Sequence, residues 1–432
     1  MEMSALNTQK TIAVGREDTL YPQKLPTKSC DLQTTATAKP GVPIEVALLT
    51  GGVDKPYAVG LAVALAAQDI SLNVIGSDEV DSPDLHNGLG LTFLNFRGDQ
   101  RPASTAAKTI RLLKYYVRLI RYAATAKASI FHILWHTRAV EYFDRTLLLL
   151  YFKLLGKKIA FTAHNINAGK RDQNDSLLNR MTLRIQYRLV DHIFVHTEKM
   201  KTELITEFNG RPTSITVLSY PTNNVIPETG LSTAQAKERL GISSENKTIL
   251  FFGRICPYKG IEHLLAAFQQ LTARDTTYRL VIAGEASKGL ETYLQQTHQM
   301  IKSCGKRVIP VIHFIPDEEV ELYFKAADVL VLPYTDIFQS GVLFLAYGFG
   351  LPVIATDVGS FRESIVEGKT GFICKPCDPL DLGRMIEQYF SSALFRSLEN
   401  SRCDIRGYAR SHHSSEAAAM LTRKAYAELL RR

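Results

Sequence analysis

From Ile44 onward the chain alternates short apolar runs with helical patterns, and most runs close on a glycine or a polar turn. In the first half the runs fall at 44–50, 72–76, 129–134, 159–163, 192–196 and 215–218. A second series falls at 248–252, 279–283, 308–313, 329–332 and 352–355. Runs this short and this apolar read as strands buried on both faces. Their alternation with helices predicts parallel sheets covered on each side. The two series predict an α/β chain with two doubly wound, Rossmann-like domains facing a cleft.

The segment Tyr220-Pro221-Thr222-Asn223-Asn224 separates the series and reads as a linker. A helical pattern near 231–240 ends at Gly241. Residues 1–42 are polar, rich in Thr and Lys, and close on Lys39-Pro40-Gly41, which predicts a flexible tail. The expected organisation is the tail over 1–42, a first domain over 43–221 and a second over 222–408. A C-terminal helix is expected over 409–432, with an Ala-rich face packed on one of the domains.

Composition narrows the partners. The chain has 432 residues, enough for two cores, and a net charge of +8, which favours anionic partners. Aromatic-interleaved RNA motifs and zinc-finger spacings do not occur, so nucleic acid is not expected. The six cysteines are scattered, and Cys374 with Cys377 lacks a second ligand pair for zinc. The reading is reduced thiols in a cytoplasmic protein, with no signal peptide in residues 1–14. The longest apolar run, 147–155, is broken by Lys153 and too short to span a bilayer.

Candidate chemistry gathers at strand ends. An apolar strand closes at Gly253 and presents Arg254 and Lys259 across a Pro-containing turn. A later strand leads to Gln339, Ser340, Gly341 and Val342 at the opening of a helix. Two cations beside a helix N-terminus make an anion site, because free N–H groups and the helix dipole favour phosphate. Ser340 also fits an ordinary N-cap. His164 follows the run 159–163, at the strand end that faces the crevice in such sheets. Gly51 and Gly52 close the first strand, either as a tight turn or as a place where backbone approaches a ligand. Lys108, Arg111, Lys114, Arg118 and Arg121 recur at helical spacing beside Ile110, Leu113, Val117 and Ile120. Such a helix suits an anionic membrane surface or a solvated basic face.

The second half resembles the family 4 retaining glycosyltransferases of the GT-B fold. The matching blocks are Gly253-Arg254 with Lys259-Gly260, Val281-Ile282-Ala283-Gly284, and Phe314-Ile315-Pro316 followed by Glu319, Tyr323 and Ala326-Ala327-Asp328. Gly350-Leu351-Pro352-Val353 with Gly359 and Glu363 completes them, and Gly51-Gly52 and Thr162-Ala163-His164-Asn165 are the points of likeness in the first half. The resemblance implies sugar transfer from a nucleotide-sugar donor to a saccharide or lipid-linked acceptor, with retained anomeric configuration. It implies front-face attack, with no covalent intermediate, no metal and no separate cofactor. It casts Arg254 and Lys259 as the diphosphate clamp, His164 as facing the transferred sugar, Ile315 as part of the nucleobase loop and Glu363 as either a donor contact or a helix cap or brace. The acceptor is expected on the first domain. One departure stands out: the family's paired glutamates fall on Ile337 and Leu345 here. Gln339, Ser340 and the amides of Gly341 and Val342 are the expected substitutes. An epimerase of the same fold and an inactive partner subunit remain as alternatives.

Overall fold

The computed structural model describes residues 44–431, except 53, 102, 138–139, 172–174, 222–228 and 288. The expected tail, and the linker from Thr222 onward, lie outside the described residues.

Seven parallel strands form the first sheet: β1 (Ile44–Leu49), β2 (Ile70–Gly76), β3 (Leu91–Asn95), β4 (Ile130–Ile133), β5 (Lys158–Thr162), β6 (His192–Val195) and β7 (Ile215–Val217). Their order is β3-β2-β1-β4-β5-β6-β7. The second sheet contains β8 (Lys247–Phe252), β9 (Tyr278–Ala283), β10 (Val308–Val311), β11 (Val329–Leu332), β12 (Val353–Thr356) and β13 (Gly371–Cys374). Its order is β10-β9-β8-β11-β12-β13. In both sheets the order reverses beside the first strand, between β1 and β4 and between β8 and β11. A crevice opens at the carboxyl ends of the strands at such a reversal.

Two strands were not legible as apolar runs. In β3, Leu91-Thr92-Phe93-Leu94-Asn95 is an edge strand with no fully buried residue. In β13 the glycine leaves too short an apolar run, although all four residues are buried. The edge strand β10 stops at Val311, short of the expected 313, and carries Pro310 where a missing N–H is tolerated.

The C-terminal boundary also differs from expectation. The helix Leu398–His412 runs through position 409, and the last helix begins at Ser415. The break falls at Ser414, whose Oγ accepts from the Ala417 amide at 3.1 Å and so starts a new helix. The last helix packs against the helix Lys55–Ala66 beside the first sheet. Its Tyr426 hydroxyl meets His132 Nδ1 of β4 at 2.5 Å in the buried interior.

A buried ion pair ties the second half together. Lys237 Nζ lies 2.9 Å from Asp328 Oδ2, which also accepts from the Thr248 amide at 2.7 Å. Lys237 donates besides to the Asn246 carbonyl. Asp328, part of a matching block, therefore has a structural role at the start of β11. No helix among the described residues is long and apolar enough to cross a membrane.

Candidate active site

A cavity of about 380 Å3 lies between the ends of β1, β8 and β11. Asp54, Pro56 and Tyr57 line it from the first sheet, and Tyr220 and Pro221 from the connecting segment. Tyr258, Lys259, Ile337, Gln339, Ser340, Gly341, Val342 and Leu345 line it from the second. Five of the expected site residues therefore share one cavity: Lys259, Gln339, Ser340, Gly341 and Val342.

Local chain geometry explains the placement. After β8 the chain makes a 3-10 turn, Pro257–Lys259, and Gly260 takes a left-handed φ of 62°. A Cβ on Gly260 would meet the Pro333 carbonyl oxygen at 2.1 Å, so only glycine lets the turn lie against the end of β11. This contact delivers Lys259 to Tyr334. Lys259 is buried, with Nζ 3.8 Å from the Tyr334 ring centroid and 2.5 Å from its hydroxyl. Burial pushes the Tyr334 hydroxyl pKa upward. That group therefore stays a neutral partner for the ammonium.

The helix Gly341–Gly348 aims its N-terminus at the cavity. Ser340 occupies the N-cap position, but its side chain makes no capping bond. Its Oγ lies 3.5 Å from the Tyr334 hydroxyl instead. The helix start thus presents backbone amides to the same space as Lys259, an arrangement suited to a phosphate group. Gln339 Oε1 accepts from Ser360 at 3.1 Å, which orients its NH2 as the end offered to a ligand. Ile337 and Leu345, at the positions of the missing glutamates, stand on the wall as apolar side chains.

Other expected residues lie off this wall. Arg254 is exposed on the loop that carries Lys259 and does not line the cavity. Gly51 and Gly52 adopt φ values of 63° and 70°, but protein already fills the space beside them. A Cβ on Gly51 would strike Trp135 at 2.6 Å, and one on Gly52 would lie 3.0 Å from Ser77 Oγ. Their role here is the turn itself. Ile315 is buried in the core, where an aliphatic side chain is most stable. Glu363 is exposed on the short helix Phe361–Ser364 and is also absent from the wall.

His164 lies one layer behind Tyr57. Its ring stacks on Trp135 at 4.1 Å and meets Tyr57 edge-on at 4.8 Å. His196 Nδ1 faces the Leu218 carbonyl at 3.2 Å, and its Nε2 faces His164 Nδ1 at 3.2 Å. A carbonyl only accepts, so in the neutral pair each Nδ1 carries the proton. His164 Nε2 is then a bare acceptor, and it has no hydrogen-bond partner among the described residues. Burial, followed by His196 and His132, drives the His164 pKa well below its usual value. The ring is neutral, and its bare Nε2 is buried off the cavity wall.

Asp54 and the tyrosines were not singled out from the sequence. Asp54 caps the helix Lys55–Ala66, and Oδ1 accepts from the Tyr57 amide at 3.2 Å. Oδ2 accepts from the Tyr220 hydroxyl at 2.7 Å. Tyr220 also stacks on Phe344 at 5.2 Å and so joins the two sides of the cavity. The available signal was an Asp two residues before Pro56, a helix-start pattern.

Comparison with known proteins agrees with this architecture. The family model described as Glycosyltransferase Family 4 matches residues 51–222, and that described as Glycosyl transferases group 1 matches residues 232–412. A D-inositol 3-phosphate glycosyltransferase from Corynebacterium aurimucosum is 29% identical over 242 residues, covering 53% of this chain and 57% of the relative. A protein of the same name from Corynebacterium diphtheriae is 29% identical over 53% of this chain and 56% of its own length. The chain thus spans about half the length of the curated relatives it matches. Among solved structures, sucrose-phosphate synthase from Thermosynechococcus elongatus aligns with a TM-score of 0.70 at 19% identity, over 90% of this chain and 99% of that one. Anabaena HepE, solved with UDP and glucose, aligns with a TM-score of 0.69 at 16% identity, over 89% and 100%. Two sheets in doubly wound order, a cavity where they meet and family matches over most of the chain agree: this chain belongs to the GT-B glycosyltransferases of the family 4 type.

Proposed function

We propose that the protein transfers a sugar from a nucleotide-sugar donor to an acceptor hydroxyl with retention of configuration. The observation that carries this reading is the meeting of Lys259 with the helix start Ser340-Gly341-Val342 in one cavity between the sheets. A diphosphate leaving group gains negative charge as its bond to the sugar breaks. A fixed ammonium and backbone amides stabilise that charge without reorganising. The reading needs no metal and no cofactor beyond the donor. The neutral His164 ring, packed edge-on behind Tyr57, holds up the first-sheet wall that faces the sugar. The acceptor enters from the side of Asp54 and Tyr57, as a saccharide or lipid-linked molecule.

The exposed face of the helix Thr105–Thr125 supports a place on the inner surface of a membrane. Ile110, Leu113 and Val117 are 52%, 60% and 54% exposed, while Tyr115, Tyr116, Leu119 and Ala123 make the buried face. An outward apolar stripe beside Lys114, Arg118 and Arg121 suits an anionic bilayer.

The second reading is an inactive subunit that keeps nucleotide as a structural ligand; Ile337 and Leu345 on the wall favour it. A panel of nucleotide-sugars separates the two. Thermal stabilisation by one donor, followed by its transfer or hydrolysis in excess EDTA, supports the enzyme. Stabilisation without turnover of any donor, even with membrane extract as acceptor, supports the inactive subunit. Loss of activity that only metal restores contradicts the metal-free reading.

A further inference from the structure

We propose that Asp54 sets the acceptor class: its carboxyl group takes a hydroxyl of an uncharged saccharide or polyol, and its charge excludes an acceptor that brings phosphate into the cavity. This rests on the transferase reading above and assigns the half of the site which that reading leaves open.

The two walls of the cavity differ in charge. The second-sheet wall offers Lys259 and a helix N-terminus, and both are committed to the donor diphosphate. The first-sheet wall offers Asp54, the only carboxylate among the described residues that line the cavity.

The backbone is shaped to put that carboxylate there. Gly51, Gly52 and Asp54 have φ values of 63°, 70° and 50°. A non-glycine residue in this region is uncommon and carries a conformational cost. Two hydrogen bonds, from Tyr57 and Tyr220, fix the carboxylate orientation. An ionised carboxylate has about four acceptor positions, so lone pairs remain for a ligand hydroxyl. Asp54 is exposed toward the cavity; burial raises its pKa, while the bonds from the Tyr220 hydroxyl and the Tyr57 amide favour its ionised form. In such a space a second anion is poorly screened. A phosphate beside Asp54 would meet like charge, with the nearby donors already engaged. The acceptor implied by the names of the curated relatives, an inositol 3-phosphate, therefore does not carry over to this chain.

The test uses a matched pair of probes that differ by one phosphate, myo-inositol and myo-inositol 3-phosphate. Their affinities for the full chain are measured by calorimetry, with and without UDP. The wild type should bind myo-inositol at least as tightly as its phosphate. Asp54→Asn keeps an acceptor for the Tyr57 amide and tolerates a positive φ. It should shift the affinity ratio toward the phosphate by about tenfold or more. Asp54→Ser, which keeps a capping oxygen without charge, gives the same reading if the first variant melts early. Preference of the wild type for the phosphate overturns the proposal. So does an unchanged ratio in the variants, including no binding of either probe by any of the proteins. A failure of the wild type to bind any nucleoside diphosphate or nucleotide-sugar, scored in parallel, counts against the transferase reading instead.

Discussion

Lys259 and Tyr334 form one contact unit: the ammonium sits over the ring at 3.8 Å from its centroid and bonds to the hydroxyl. The ring supplies an electrostatic platform and the hydroxyl fixes the direction of the charge. Ser340 Oγ, 3.5 Å from the same hydroxyl, connects the unit to the helix start. The residues expected to receive the leaving group are therefore held by one another before any donor arrives.

Removing the charge should cost more than removing its support. Lys259→Ala is expected to lower turnover by up to about a thousandfold, the scale of one lost transition-state donor. Tyr334→Phe keeps the ring and should lower turnover by about tenfold through loss of orientation. Arg254→Ala, at an exposed side chain that does not line the cavity, should cost less than Lys259→Ala, about tenfold at most. Steady-state kinetics with the donor found in the panel checks all three. Wild-type turnover in Lys259→Ala would remove the clamp assignment.

Gln339 tests how the lost carboxylates are replaced. Its Oε1 is held by Ser360, so only its NH2 end remains to donate. Gln339→Ala should lower turnover by about tenfold while nucleoside diphosphate binding persists. Comparing KM with kcat separates a lost sugar contact from a lost phosphate contact. Equal loss of diphosphate affinity would place Gln339 on the phosphate instead.

The buried histidines predict acid sensitivity. Burial lowers the pKa of His132 and His136 to about 3 and that of His196 and His413 to about 4. The unfolded chain binds these protons near pH 6.5, so it holds more of them than the folded chain below that pH. Stability should therefore be fully present above about pH 6.5 and fall continuously toward pH 4. Urea midpoints across this range give the slope. A flat profile between pH 7 and 4 would contradict neutral burial of these histidines.

Membrane binding is expected to need both parts of the helix Thr105–Thr125. Neutralising Lys114, Arg118 and Arg121 should weaken binding to anionic vesicles by about 1 kcal/mol per residue. Leu113→Ser with Val117→Ser should weaken it as well, without loss of folding, since both side chains face outward. Vesicle flotation at low salt reads the effect. A wild type that stays free of anionic vesicles would leave the stripe as plain domain surface.

How far the sequence revealed this site depends on what each residue does. Lys259 and Gly341 were legible because they sit at fixed points after a strand and at a helix start, where phosphate chemistry has a recognisable pattern. Asp54 was not, because one aspartate before a helix reads as a cap and nothing local says that it also faces a cavity. Tyr220 was hidden by its place in a linker. Its value comes from Asp54, 166 positions away. Ile315 and Gly51 point the other way: both belong to matching blocks, yet one packs in the core and the other makes a turn against Trp135. The sheets were legible wherever a strand carried a continuous apolar run, which the buried β13 lacks because of its glycine. The exposed edge β3 was not, because its pattern lacks a continuous apolar run.

The central claim is that a donor diphosphate binds between Lys259 and the helix start at Gly341. A crystal structure of the full chain with the nucleoside diphosphate that most raises its melting temperature tests this most directly. The account predicts phosphate oxygens within about 3 Å of Lys259 Nζ and of the Gly341 or Val342 amide. A diphosphate bound elsewhere, or this cavity empty at saturating ligand, would contradict it.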